Sequence, residues 1–119
     1  MQVERLSEEA LEKILSGKTQ DATSVIKFYS NGCEFCHALS DYYKDIANSY
    51  DDIYFFAFNV DDSPGMAEKI GINGVPSISL IKTRDNRRKK MKILNDPENP
   101  HKKTWYTSKY IKDFINKEK

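Results

Sequence analysis

Ser24-Val25-Ile26-Lys27-Phe28-Tyr29-Ser30-Asn31-Gly32-Cys33-Glu34-Phe35-Cys36 is the stretch from which the fold is read. Its first six residues are rich in β-branched and aromatic side chains, the composition of a buried strand. Ser30-Asn31-Gly32 is a turn. From Phe35 to Tyr50 the apolar residues Leu39, Tyr42, Tyr43, Ile46 and Ala47 recur at helical spacing. Both cysteines therefore fall on the first turn of a helix that follows a strand. Free backbone N–H groups and the helix dipole favour negative charge there. A thiolate is such a charge, so the leading cysteine ionises more easily than a free one. Two thiols at this spacing also close into a small disulfide ring, which is the equipment for thiol–disulfide exchange.

The 119 residues are the length of one domain, taken as 1–119. A domain of this size buries about two-thirds of its unfolded surface, enough for a core. Charged residues make up 31% and the net charge is +1. That balance argues for a hydrated surface and against a general nucleic-acid or membrane binder. Two cysteines, three apart, are too few for a secreted disulfide scaffold. Met1 to Lys18 has no apolar run like that of an export signal, and no stretch is long and apolar enough to span a bilayer. The expectation is a monomer in the reducing cytoplasm.

Gln2 to Leu6 reads as a short strand. Ser7 is an N-cap before Glu8 and Glu9; Leu11, Ile14 and Leu15 form an apolar stripe, and Gly17 ends the helix. Ile53 to Val60 is almost continuously apolar, as in a strand covered on both faces. Strand, helix, strand implies a right-handed parallel crossover. Ser63 as cap and Pro64 at the first position start a short helix closed by Gly71. Ser77 to Lys82 alternates as a strand, Thr83 to Arg88 is a polar turn, and Lys89 to Leu94 is the antiparallel edge partner, guarded by lysines. Arg87-Arg88-Lys89-Lys90 is read as a solvated turn. Asn95 to Thr104 is a loop. Trp105 to Lys117 is a closing amphipathic helix, with Trp105 in the core and Tyr106, Tyr110, Ile111, Phe114 and Ile115 facing inward.

This order of elements, with Cys-x-x-Cys at the first strand–helix junction and Gly74-Val75-Pro76 before a later strand, resembles thioredoxin. Asn59-Val60-Asp61 with Pro64-Gly65, and Gly71 to Ser77, look like that family's segments at the corresponding places. The resemblance runs from about Ser24 to Lys82. It implies an α/β fold with a mixed central sheet flanked by helices on both faces. It implies that Pro76 is cis and faces the dithiol, and that Val75 offers backbone hydrogen bonds to a substrate. A cis X–Pro bond is uncommon, about 5% of such bonds. The chain departs from the family in several places. Gly32 stands where a tryptophan is usual, and Glu34-Phe35 where Gly-Pro is usual. The family's buried acid falls on Lys27 and its partner lysine on Ala57. The Asn95–Thr104 segment replaces a shorter, glycine-containing loop.

Cys33 is the candidate nucleophile and Cys36 the resolving thiol; Gly74, Val75, Pro76 and Phe35 are the candidate substrate contacts. Phe35 reads equally as a core residue. Lys27, Glu34 and His37 are candidates for tuning the thiol. Lys27 either carries its ammonium out to the surface, the reading preferred here, or sits beneath the dithiol. Glu34 suits a helix start, yet its charge opposes a thiolate. His37 is either a polar residue of the first turn or a cation that holds the thiolate. No metal is expected: zinc takes about four ligands, and beyond the cysteines only His37 and His101 remain. Cys-x-x-Cys-His is also the attachment signature of c-type haem, disfavoured because that chemistry goes with an exported chain and nothing around it requires a haem pocket. No bound cofactor is implied. The expected activity is reduction of protein disulfides, with thioredoxin reductase or glutathione as external reductant. The alternatives are an accessory binding module with an incidental dithiol and, behind it, a haem electron carrier.

Overall fold

The computed structural model describes residues 2–119; Met1, the first residue of the segment read for an export signal, lies outside them. Among the described residues five strands form a single mixed sheet: β1 (Val3–Arg5), β2 (Ala22–Tyr29), β3 (Ile53–Asn59), β4 (Ser77–Arg84) and β5 (Arg87–Ile93), in the spatial order β1-β3-β2-β4-β5. β1 and β2 run parallel to β3, while β4 is antiparallel to β2 and β5 to β4. The helices are α1 (Glu8–Ser16), α2 (Glu34–Asn48), α3 (Pro64–Ile70) and α4 (Ser108–Glu118).

Strand alternation splits the core into two layers. Val25, Phe55, Ile78 and Leu80 pack with Leu39, Tyr43 and Ile46 of α2 and Ile111 and Ile115 of α4. Ile26, Phe28, Phe58 and Ile81 point the other way, onto Leu11 and Ile14 of α1 and Met66 of α3. Helices therefore cover both faces, as expected. β2 is central, and six of its eight residues are buried. Its C-terminal end opens directly into the turn that carries the cysteines.

The start of α1 is capped as read: Ser7 Oγ accepts from Ala10 N at 3.1 Å. Gly17 closes it at φ +75°, the left-handed conformation glycine tolerates best. Several boundaries differ from the sequence reading. Ser63 caps α3 without a side-chain hydrogen bond, its backbone being at φ −153°, ψ 86°. The strand read through Val60 stops at Asn59, where a single 3-10 turn, Val60–Asp62, takes over because Asn59 Oδ1 accepts from Asp61 N at 2.9 Å. The hairpin turn is not the whole of Thr83–Arg88 but Asp85-Asn86 alone, at φ +55° and +58°. Two consecutive left-handed residues match the twist of the flanking strands, and Asp and Asn adopt that conformation more readily than most. The last helix begins at Ser108, capped by Thr107, rather than at Trp105. Trp105 has φ +67° and forms a bridge with His101, so it belongs to the preceding loop. Tyr106 is buried as expected, but from that loop.

Candidate active site

Cys33 is the N-cap of α2, one position outside the helix proper, and Cys36 lies within its first turn. Cys33 Sγ accepts from Cys36 N at 3.1 Å, so the leading sulfur occupies the place of a capping oxygen. The sulfurs are joined as a disulfide across a Cα–Cα distance of 5.2 Å. Cys33 is half-buried, whereas Cys36 is 1% exposed. A partner from outside therefore meets Cys33 first. Gly32 adds to the opening: it is exposed, and a side chain there would touch nothing within 4 Å.

The turn before Cys33 is held by residues the sequence reading gave no role. Asn31 N donates to Asp61 Oδ2 at 2.8 Å, and Asn59 Nδ2 donates to Asn31 Oδ1 at 2.8 Å. His37 Nε2 donates to the Asn31 carbonyl at 2.9 Å. The end of β3, the 3-10 turn and α2 thus fix the turn together. A polar Asn59 closing an otherwise apolar strand was the available signal. His37 is exposed and serves here as a clasp on the turn; Glu34 is exposed in the first turn of α2.

Val75-Pro76 is a cis peptide bond, as the resemblance implied. Ser77 pairs with Phe28, so Pro76, one step further, stands beside the end of β2 and the start of the cysteine turn. Pro76 is buried, Val75 half-buried and Gly74 exposed. A groove of about 570 Å³ runs here, lined by Gly74, Val75, Pro76, Leu94, Asp96 and Trp105. Trp105 closes one side: its Nε1 donates to Asp96 Oδ1 at 3.0 Å, and its ring meets Phe35 edge-to-face at 5.5 Å. Phe35 and Trp105 are both half-buried. The placement of Trp105 in the core is thereby corrected: the left-handed backbone at this residue turns the indole toward the cysteine helix. Phe35 links the groove to the disulfide.

Lys27 does not reach the surface; it is 5% exposed. It lies on the α2 face of β2, where its Nζ donates to Ser40 Oγ at 3.1 Å. Burial, and secondarily the like charge of Lys44, lower its pKa from 10.5 to about 8. In the sheet it stands beside Ala57, the position on which the resemblance places the family's partner lysine. Tyr43, beneath it, is pushed well above the ordinary phenol value by burial. Among the described residues no cluster of His, Cys, Asp and Glu could hold a metal ion, and no helix is long and apolar enough to cross a membrane.

This architecture recurs in solved structures. A reduced thioredoxin of Schistosoma mansoni aligns over 98% of both chains at 20% identity with a TM-score of 0.70. Chloroplastic thioredoxin z covers 98% of this chain and 94% of its own at 20% identity, with a TM-score of 0.72. These likenesses define a thioredoxin fold. The thioredoxin family model matches residues 2–99, and the chain belongs to the thioredoxin family. Thioredoxin-1 of Schizosaccharomyces pombe is 30% identical over 63 residues, which are 53% of this chain and 61% of that one. A thioredoxin of Alternaria alternata is 29% identical over 65 residues, 55% of each chain. An H-type thioredoxin of Fagopyrum esculentum is 28% identical over 71 residues, 60% of this chain and 61% of that one. The chain spans 55 to 61% of the length of these curated relatives.

Proposed function

We propose that this protein is a thiol–disulfide oxidoreductase that reduces disulfides of other proteins. The observation that carries the reading is the asymmetry of the pair: a half-buried Cys33 at the positive end of α2 and a buried Cys36 behind it. In the reduced form Cys33 attacks a substrate cystine as its thiolate. One substrate sulfur leaves as a thiol and the other joins Cys33 in a mixed disulfide. Cys36 then attacks Cys33 Sγ, releases the second substrate thiol and regenerates the Cys33–Cys36 disulfide. An external dithiol reductant, with thioredoxin reductase or glutathione as candidates, restores the pair. The edge at Gly74-Val75-Pro76 and the ring of Phe35 receive the substrate chain. Cycling of this kind suits a monomer in a reducing compartment such as the cytoplasm.

The test is insulin reduction followed by turbidity. Wild type accelerates it, and Cys33→Ser abolishes turnover. Cys36→Ser stops after one event and accumulates a mixed disulfide visible by mass spectrometry. An unchanged rate in Cys33→Ser would overturn the assignment and leave the binding-module reading in its place.

A further inference from the structure

Among the described residues Lys27 is the only buried side chain of a charged type. Among the described residues no carboxylate pairs with it. Ser40 accepts from its ammonium, and Ser40 Oγ in turn donates to the backbone carbonyl of Cys36 at 3.1 Å. The rings of Tyr29 and Tyr43 lie 5.5 and 5.1 Å from Nζ. Its sheet neighbours are Ala57 on β3 and Ile78 on β4. The charged group that acts on it from α2 is Lys44, of the same sign. No ion pair among the described residues includes it. A buried cation without a counter-charge is costly, and this one is a single hydroxyl away from the backbone of the buried cysteine.

We infer that the counter-charge of Lys27 is made by the reaction itself: it is the thiolate formed when the Cys33–Cys36 disulfide is reduced, and Lys27 is a tuning residue that favours the reduced state. This rests on the oxidoreductase reading and deepens it. A dithiol reductant gives two electrons to the S–S bond and becomes a disulfide. Of its two protons, one goes to one cysteine sulfur while the other sulfur remains thiolate. The second proton goes to solvent when Lys27 is already an ammonium, and to Lys27 Nζ when it is an amine. In the oxidised protein burial and Lys44 hold Lys27 down to about 8; the new thiolate raises it. Reduction therefore takes up one proton per electron pair just below pH 8 and two above it. A dithiol without such a neighbour does the reverse, taking up fewer protons as pH rises through its thiol pKa.

The experiment equilibrates wild type, Lys27→Met and Lys27→Gln with dithiothreitol buffers between pH 6.5 and 9.5, reads the reduced fraction by alkylation and refers it to the potential of the dithiothreitol couple at the same pH. In wild type the pH dependence of the protein's midpoint potential steepens across about pH 8. In both variants the steepening is absent, and at pH 7 the equilibrium shifts about tenfold toward the disulfide. Melting curves check that the variants fold. A wild-type dependence that flattens across pH 8 overturns the inference even if neither variant folds; so does steepening that persists in Lys27→Met. Steepening in a wild type that fails to reduce insulin overturns the reductase reading instead.

Discussion

Phe35 and Trp105 meet edge-to-face although seventy residues separate them, and their contact ties the groove at Val75-Pro76 to the disulfide. An edge-to-face aromatic pair is worth about 0.5–1.5 kcal/mol beyond its buried area. Trp105→Ala removes that wall and the hydrogen bond to Asp96 while leaving both sulfurs in place. Its kcat/KM for insulin is expected to fall about three- to tenfold, mostly through KM, because the change removes binding rather than chemistry. Its rate with a small aromatic disulfide should stay near that of wild type. Equal losses on both substrates would show that Trp105 supports the cysteine helix rather than the groove. Residue type and short spacing singled out Cys33 and Cys36, whereas Val75 and Pro76 came from the resemblance to thioredoxin. The sequence did not reveal Trp105, because a left-handed backbone at a tryptophan has no signature in neighbouring residues. Nor did it show that Asn31, Asn59 and Asp61 lock the turn, since that lock joins β3 to the cysteine turn across about thirty residues.

Among the elements, α1 closes at a tight junction with β5. Gly17 is buried at φ +75°, and a Cβ built there would lie 2.4 Å from Arg88 N and 2.6 Å from the Arg87 carbonyl carbon. The obstacle is the backbone of β5, which no rotamer change moves. Gly17→Ala should therefore lose about 2–4 kcal/mol, more than the roughly 1 kcal/mol set by the left-handed conformation alone. Urea unfolding with an unchanged m-value measures it, and a loss under 1 kcal/mol would mean that β5 yields. By contrast Gly71, also left-handed, has open space around its Cβ position. Both glycines were legible as helix ends, and the approach of β5 to one of them was not. Most elements could be read because each carries its own period and punctuation: Ser7 and Gly17 around α1, the apolar run of β3, Pro64 and Gly71 around α3. The misplaced boundaries lie where side chain and backbone compete locally. Asn59 capped a 3-10 turn, Asp85-Asn86 tightened the hairpin, and Thr107 rather than the aromatic pair before it opened α4.

At the scale of the whole molecule, the sheet buries a cation and two phenols between β2, β4 and the helices on one face, and this shapes stability against pH. Strand alternation puts Lys27 on the same side as Val25, under α2, so its burial follows from topology even though the residue itself argues against it. In the oxidised protein its pKa is about 8 against 10.5 unfolded. The unfolded chain then binds more protons between those values, and stability rises with pH across that window. Tyr43 and Tyr106 are both pushed upward by burial. Above the ordinary phenol value near 10 the unfolded chain loses their protons and the folded chain keeps them, so stability falls again. The disulfide form should accordingly show maximal stability between about pH 9 and 10. Lys27 contributes a rise of roughly 2–3 kcal/mol between pH 7 and that maximum. Lys27→Met should lose the rise, keep the fall, and be the more stable protein at pH 7, since no charge is left to bury. Urea midpoints across pH 6 to 11 on the oxidised protein measure both limbs. A wild-type curve flat from pH 7 to 10 would mean that water reaches the ammonium in solution.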